Sequence, residues 1–270
     1  MRVEPVSAAT QRAALEYLDR APYDNVFISH ILEHDASHSA KHVNVIFDER
    51  NVAGVVYHGR HIVIAADLSA IPALAASLPR HLNARMIIGP RDAVIELWRL
   101  NGERYGRPRL VRDRQLVMMV DREHLRPSSR GVSVRHARLD EWRSVADGSA
   151  EMIRQELDYD PRQGMANFDV GVRQMIERQL WWVGVSDGRL CFFCHIGPWS
   201  NKTIQLQGIW TPPQLRGRGL ATASLEAICD RLLEASPTLS LYVNDFNEAA
   251  VALYRRVGFE RVGDFQTILF

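Results

Sequence analysis

Gln214-Leu-Arg-Gly-Arg-Gly219 is the stretch that decides the fold. It follows an apolar run typical of a strand, residues 204–210, and opens an amphipathic helix predicted over 219–234. Two glycines let the backbone approach an anion closely, and the first N–H groups of a helix have no partner within it. An anion site is therefore predicted here. No Gly-Lys-Ser/Thr follows, and one Gly-x-Gly is too little for a dinucleotide fingerprint. A plain glycine-rich turn with surface arginines remains the alternative.

A second segment downstream gives the first one a context. Residues 247–259, Asn-Glu-Ala-Ala-Val-Ala-Leu-Tyr-Arg-Arg-Val-Gly-Phe, predict a helix that stops at Gly258. This segment resembles motif B of the GNAT superfamily, N-x-x-A-x-x-L-Y followed by G-F. Residues 210–221 resemble motif A, Q/R-x-x-G-x-G/A, in the same order and at the same separation. The resemblance covers roughly residues 132–270, and 241–259 also resembles a two-domain GNAT subgroup.

The resemblance implies an α/β protein with a mixed sheet in which two parallel strands, 204–210 and 239–243, splay apart. Acetyl-CoA is the implied cosubstrate, with its pantetheine arm pairing in the gap like an extra strand. Backbone atoms of Ile209 and Thr211 are expected to bond pantetheine, the N–H groups of 215–220 to hold the pyrophosphate, and Asn247 to bind pantetheine or position the adenylate arm. The implied cosubstrate-binding residues are Ile209, Trp210, Thr211, Gln214, Leu215, Arg216, Gly217, Arg218, Gly219, Leu220, Ala221, Asn247 and Tyr254.

Tyr254 is the implied catalytic acid, because the family places its acid at this position and a phenol can protonate a leaving thiolate. A core tyrosine on an amphipathic helix is the plain alternative. The base that takes the proton of the amine is open. Glu156 is the preferred residue for base or substrate work, and the others considered are Asp158, His195 and Gln207. Each also has an ordinary structural interpretation, as a helix-end charge, a core histidine or a strand pair.

A polar segment with Pro and Gly, residues 126–131, predicts a linker after a strand-like run at 115–120. Two domains are expected, a degenerate GNAT-like one over 1–125 and the acetyltransferase domain over 131–270. In the first, residues 65–72 occupy the place of the glycine loop and contain no glycine. Its predicted helices are 10–20, 26–33, 70–78 and 93–100, and its strands are 43–48, 52–58, 61–66, 85–88 and 115–120.

The second domain has a matching order of predicted elements. Its strands are 132–135, 181–185, 190–195, 204–210, 239–243 and 266–270, and its helices are 140–152, 171–178, 219–234 and 247–257.

Composition excludes several classes of protein. The chain has 270 residues, and 33 Lys+Arg against 32 Asp+Glu argue against a dedicated nucleic-acid binder. We expect neither a signal peptide nor a membrane span, and a cytoplasmic monomer or homodimer. Cys191 and Cys194 lie three apart on a predicted strand and should point to opposite faces, so three buried, reduced cysteines and no metal are expected. Histidines at 30, 34, 38 and 42 recur every four residues, and a solvated loop is favoured over a metal-binding helix. Trp181, Trp182 and Trp210 are either core or acceptor-pocket residues.

The leading hypothesis is an N-acyltransferase that moves an acetyl group from acetyl-CoA to an amine by direct attack. A sensor that binds acyl-CoA without turnover is the alternative, since no base is obvious. A third idea comes from the tandem architecture, which resembles that of mycothiol synthases, enzymes that acetylate a cysteinyl amine. The acceptor, a small molecule or a peptide, cannot be read from the motifs.

Overall fold

The computed structural model describes residues 1–79, 84–128, 130–164 and 167–270, and these form one 12-stranded mixed sheet with helices on both faces. Ser129 of the predicted linker lies outside the described residues. The strands are β1 (Arg2–Pro5), β2 (Val43–Asp48), β3 (Asn51–His58), β4 (Ile62–Ala66), β5 (Met86–Pro90), β6 (Leu110–Asp121), β7 (Ser133–His136), β8 (Trp181–Ser186), β9 (Arg189–Trp199), β10 (Ile204–Trp210), β11 (Thr238–Asn244) and β12 (Glu260–Leu269). The helices are α1 (Ala8–Leu18), α2 (Pro22–His34), α3 (Ala36–His42), α4 (Ile71–Ser77), α5 (Arg91–Asn101), α6 (Trp142–Leu157), α7 (Pro161–Gly164), α8 (Phe168–Glu177), α9 (Leu220–Leu232) and α10 (Glu248–Val257).

The sheet contains two copies of one plan. Its strand order is β1-β2-β3-β4-β5-β12-β6-β11-β10-β9-β8-β7. β4 pairs with β5 and β10 with β11 in parallel, and the other neighbours are antiparallel. The first five strands run inward from one edge, and β7 to β11 run inward from the other. The predicted mixed-sheet α/β architecture is confirmed, and the N-terminal half repeats the strand plan of the C-terminal half.

The two halves exchange their last strands. β6, which ends the N-terminal half, pairs with β11 from Thr238↔Asp121 to Asn244↔Gln115. β12, which ends the C-terminal half, pairs with β5 from Phe265↔Pro90 to Leu269↔Met86. The exchanged strands also pair with each other at the centre of the sheet. Each half therefore has its sheet completed by a strand of the other, and the division into 1–125 and 131–270 stays a prediction.

Alternating side chains send apolar groups to both faces of the sheet. On β6, Met118 packs in the core under α9 and α10, whereas Val117 packs in the core under α1 and α2. Helices α4 and α5 cover the same face as α9 and α10, and α6 and α8 lie on the face of α1 and α2. The described part of the chain contains no helix with the length and apolar character needed to cross a bilayer.

The predicted helices and strands are all present, with shifted ends, and three segments differ from expectation. β1 and α7 have no counterpart among the predictions, because four residues are too few for a periodicity. The solvated loop expected at the four spaced histidines is wrong, since all four lie on helices. His38 and His42 lie on α3, which Asp35 caps by accepting a hydrogen bond from the His38 N–H at 2.9 Å. The first pair lies on α2, where His30 Nδ1 is 3.0 Å from the Trp199 carbonyl oxygen. Within the described ranges, no three potential ligand side chains are grouped as for a metal ion.

The cysteines are all free and buried, as expected. The expectation that Cys191 and Cys194 point to opposite faces is wrong, since both lie in the core that also holds Cys229. The cause is a register shift between β8 and β9, where Gly184 pairs with Phe192 but Val185 pairs with Leu190. The extra residue at 191 breaks the alternation of the strand.

Asp24, in the first turn of α2, has an environment that penalises its charge. Burial, and next the carboxylate of Asp264, raise the pKa of Asp24 from 3.8 to about 6. The folded protein therefore loses stability as the pH rises from 3.8, the pKa of Asp24 in the unfolded chain, through about 6, its pKa in the folded chain. The loss is complete above that pH.

We expect Asp24→Asn to unfold at higher urea than the wild type at neutral pH, by about 2 to 3 kcal/mol in free energy of unfolding. The difference should become small by about pH 3, where both states hold the proton. Urea titrations at both pH values test this, with Asp48→Asn, an exposed carboxylate at the end of β2, as the matched control. A stabilisation that is equal at both pH values would contradict the assignment.

Candidate acyl-CoA site

The central feature of the C-terminal half is a gap between β10 and β11. These strands pair only at Ile204↔Leu239 and Gln205↔Ser240 and then diverge. A register shift against β9 follows Gln207, and Gly208 has a φ of +61°. A side chain at 208 would bring its Cβ to 2.6 Å from the His195 ring, so glycine is required at this bulge. The divergence leaves main-chain groups on the facing edges free to pair with a ligand.

The loop at the end of β10 has the backbone that its two glycines were expected to allow. Gly217 and Gly219 have φ values of +71° and +74°, and a Cβ on either would meet no atom within 4 Å. The loop therefore has open space where a phosphate could approach. Leu215 and Arg216 use their N–H groups on the carbonyls of Pro212 and Pro213, at 2.9 and 3.2 Å. Only the N–H groups from Gly217 onward are thus left for an anion. The N–H groups predicted to hold the pyrophosphate, those of 215–220, are therefore reduced by the first two.

Arginines surround this loop from two parts of the chain. The Arg216 guanidinium lies 4.4 Å from the Trp210 ring centroid and donates from Nε to the Thr211 carbonyl at 3.0 Å. Arg130, from the segment before β7, donates from Nη1 to the Arg218 carbonyl at 2.6 Å. Arg130 was not among the predicted residues, because its sequence context is that of a linker. Together these side chains make the surroundings of the loop positive.

Asn247 is the N-cap residue of α10. Its Oδ1 accepts a hydrogen bond from the Ala250 N–H at 3.2 Å, which leaves its amide N–H groups for a ligand. Asn244, at the end of β11, has a buried Oδ1 with no hydrogen-bond partner among the described residues. No sequence pattern pointed to Asn244, since it lies between the two recognisable motifs at 210–221 and 247–259.

Tyr254 lies on α10 with a side chain that is 7% exposed, and its ring packs 5.9 Å from that of Phe259. Burial raises the pKa of its phenol well above the ordinary value, and the negative charge of Glu156 raises it further. A raised pKa keeps this phenol protonated throughout the physiological range. The hydroxyl is therefore present to donate a hydrogen bond, and it gives up its proton only to a strongly basic group.

Glu156 lies at the C-terminal end of α6, on the opposite face of the sheet from Tyr254. It nevertheless contributes to the raised pKa of Tyr254, and also to that of Tyr242 on β11. The interaction is consistent with the gap between β10 and β11, where no strand separates the two faces. Arg112 of the exchanged strand β6 pairs with Glu156, with Nη2 and Oε2 3.2 Å apart. Sequence reasoning missed Arg112, because it belongs to a segment assigned to the other half.

The other base candidates have structural partners. Asp158 is the C-cap residue of α6 in the left-handed region, with a φ of 52°. His195 Nδ1 lies 3.2 Å from the Ile196 carbonyl oxygen, and burial lowers the pKa of its imidazole. Gln207 donates to Gln205 Oε1 at 2.7 Å. Trp181 and Trp182 are core residues.

A cleft of about 470 Å³ opens beside the loop, between α6 and the ends of β9 and β10. Trp210 lines this cleft. This agrees with the interpretation of Trp210 as a pocket residue, one of the two given above. Glu151 also lines it and is paired with Arg154 at 2.7 Å. This carboxylate was not predicted, because a single glutamate on an amphipathic helix carries no distinguishing pattern.

Two family models match the chain. Residues 139–259 match the acetyltransferase (GNAT) family, and residues 42–145 match a domain of unknown function, DUF4081. A mycothiol acetyltransferase of Acidimicrobium ferrooxidans is 34% identical over 124 residues, which are 42% of this chain and 39% of that protein. The chain thus matches well under half the length of this curated relative.

Solved structures share the fold over nearly the whole chain. A Drosophila protein covers 99% of this chain and 98% of its own, with a TM-score of 0.71 and 13% identity. A GCN5-related N-acetyltransferase of Sphaerobacter thermophilus covers 99% and 94%, with a TM-score of 0.59 and 14% identity. A tandem GNAT protein from the clavulanic acid biosynthesis pathway covers 98% and 97%, with a TM-score of 0.51 and 12% identity. The C-terminal half of this chain, residues 139–259, thus matches the GNAT acetyltransferase family, and the chain as a whole shares the fold of a tandem GNAT protein.

Proposed function

We propose that this protein transfers an acetyl group from acetyl-CoA to an amine by direct attack, in the gap between β10 and β11. The observation that carries the proposal is Tyr254, a buried phenol held protonated and electrostatically coupled to a carboxylate on the other face of the sheet. A phosphate-compatible loop lies at the end of one strand of the same gap. The combination suits a thioester whose leaving group needs a proton.

The proposed binding of acetyl-CoA uses backbone groups. Its pantetheine arm pairs with the unpaired edge of β10 at Ile209 and Thr211, and Asn247 donates to it from the side-chain amide. The N–H groups of 217–221 face the pyrophosphate, as at other helix N-termini that bind anions. Arg216, Arg218 and Arg130 supply the compensating charge.

The proposed reaction transfers one acetyl group and moves two protons. The neutral amine nitrogen attacks the thioester carbonyl carbon, and the carbon–sulfur bond breaks. The thiolate that leaves takes the proton of the Tyr254 hydroxyl. Glu156, directly or through a water, takes the proton that the amine nitrogen loses, and solvent then carries that proton to the Tyr254 oxygen, so that both residues return to their starting states. Arg112 holds the carboxylate of Glu156 in place for this step.

The relative suggests where to look for the acceptor. Because that protein is a mycothiol acetyltransferase, cysteinyl amines are one class to test, beside amino acids, peptide N-termini, lysines and polyamines. The three buried, reduced cysteines support a cytoplasmic location for this activity.

Thiol release from acetyl-CoA across these amine classes tests the proposal. We expect at least one class to raise the rate above hydrolysis and to yield the N-acetyl product by mass spectrometry. The paired variant Tyr254→Phe should lose that turnover. Tight acetyl-CoA binding with no acetylated product from any class would instead favour the sensor.

The N-terminal half is expected to bind no second CoA. Its connection from β4 to α4 is Asp67 followed by a 3-10 turn, Leu68–Ala70, in place of a glycine loop. An aspartate at the end of β4 would repel a pyrophosphate. Calorimetric titration with CoA should saturate at about one equivalent per chain. A second equivalent of similar affinity, retained in Gly217→Asp, would contradict this.

A further inference from the structure

The N-terminal half has a gap of its own, between β4 and β5, which corresponds in position to the gap between β10 and β11 in the C-terminal half. β4 and β5 pair only at Ile62↔Ile87 and Val63↔Ile88, and their ends then diverge. A cavity of about 200 Å³ lies at these ends, beneath α1 and α2. This is smaller than the sites that hold drug-sized ligands, and it has room for a small molecule only. Its lining residues are Tyr17, Arg20, Ala21, Asp24, Asn25, Ala65, Ala66, Asp67 and Pro90.

The charges in this cavity are the reverse of those expected for a phosphate site. Asp67 follows β4, at the place that Thr211 occupies after β10. Its Oδ1 accepts a hydrogen bond from the Tyr17 hydroxyl at 3.0 Å, which fixes the carboxylate at the cavity wall. The second carboxylate, Asp24, has no ion-pair partner among the described residues. Two carboxylates in one small cavity favour a cationic group.

Asp264, the acid next to Asp24, is bound by two arginines that form no ion pair with Asp24 among the described residues. Asp264, which raises the pKa of Asp24, is itself held by Arg114 at 3.1 Å and by Arg261 at 2.9 Å. Asp24 is thus a half-buried carboxylate with an acidic neighbour and a costly charge. A bound cation would remove that cost.

One positively charged side chain, that of Arg20, also lines the cavity. The Arg20 guanidinium lies over the ring of Tyr17, 5.0 Å from its centroid, and lines the rim. It is exposed and makes no ion pair within the described residues. The cavity therefore offers two carboxylates on its wall and one guanidinium at its mouth, a pattern that matches a small molecule with both charges.

We propose that this cavity binds a small α-amino acid as its zwitterion, with the ammonium group at Asp24 and Asp67 and the carboxylate at Arg20. An ammonium group is a compact cation with three donors, which suits two carboxylate acceptors. A guanidinium suits a carboxylate, which it binds through paired N–H groups. The site is separate from the proposed acetyl transfer and does not depend on it.

Titration of the full chain with glycine, L-alanine and L-serine, followed by calorimetry and NMR, tests the proposal. We expect saturable binding of at least one of them at about one per chain and at millimolar affinity or tighter. Propionate and ethylamine, which each lack one charge of L-alanine, should bind at least about tenfold more weakly. Equal binding of either analogue, or no binding of any of the three amino acids, overturns the proposal.

Variants locate the site. Asp24→Asn and Arg20→Gln should each lower the affinity for the amino acid at least about tenfold. Asp48→Asn and Glu156→Gln should leave it unchanged, the second because the proposed acetyl-transfer gap is elsewhere. The expected higher stability of Asp24→Asn separates lost binding from lost folding, and Arg20→Gln alters an exposed residue. Retained binding in both Asp24→Asn and Arg20→Gln, or lost binding in Glu156→Gln, overturns the assignment to this cavity.

Discussion

Tyr254→Phe is expected to lower kcat by about 10²- to 10⁴-fold while acetyl-CoA affinity stays near that of the wild type. The two rings fill nearly the same volume, so packing against Phe259 should survive. Only the hydroxyl is lost, and the group it serves, the departing thiolate, gains its charge in the transition state. An interaction made mainly there lowers kcat and kcat/KM together. Steady-state kinetics with an acceptor from the screen, and calorimetry with CoA, provide both measurements.

Tyr105→Phe is the matched control for this variant. Tyr105 is a half-buried phenol that stacks on Phe270 at 4.7 Å, at the opposite half of the sheet. Its loss should leave kcat unchanged. If Tyr254→Phe turns over like the wild type where chemistry limits the rate, Tyr254 is a core residue, and water or another group protonates the thiolate.

Gly217→Asp is expected to weaken CoA binding by about 10- to 100-fold with the fold retained. The new carboxylate would lie beside the proposed pyrophosphate, where like charges repel. Folding should survive, because a Cβ at this position meets no atom within 4 Å and aspartate tolerates a φ of +71°. An acidic side chain near the start of α9 is also favourable for the helix.

Two controls isolate the charge effect. Gly217→Asn has the same shape and the same tolerance of the left-handed region without the charge, and it should bind CoA much more tightly than the aspartate variant. Gly106→Asp places the same carboxylate at a φ of +76° in equally open space in the N-terminal half. It should bind like the wild type. Unchanged CoA affinity in folded Gly217→Asp would exclude this loop as the pyrophosphate site.

The elements and the loop were predictable from the sequence because their signals are local. Periodicity located the helices and strands, and two glycines with positive φ stand where the motif placed them. The role of Tyr254 came from a resemblance and that of Glu156 from a choice among open candidates, and both stay predictions. What the structure adds to both is their electrostatic coupling, which no spacing in the sequence expresses.

The missed features depend on contacts between distant segments. Arg112 reaches Glu156 across 44 residues, and Arg130 reaches Arg218 across 88. Strand exchange has the same origin, since hydrophobic alternation gives the faces of β6 and β12 but not their neighbours. The face of the sheet to which Cys191 points was predicted wrongly, because a bulge that only the pairing of β8 and β9 reveals interrupts the alternation.

Strand exchange also sets the order in which the chain can fold during synthesis. β5 ends at Pro90, but its neighbour β12 runs from Glu260 to Leu269, so the N-terminal half cannot complete its sheet until most of the chain has left the ribosome. At typical translation rates of 5–20 residues per second, the interval is roughly 10 to 40 s. During that time one edge of β5 has no β12 to pair with and is open to other chains, a recognised route to misassembly. The nascent protein therefore has a period in which chaperones can act, and this period ends only when β12 is made.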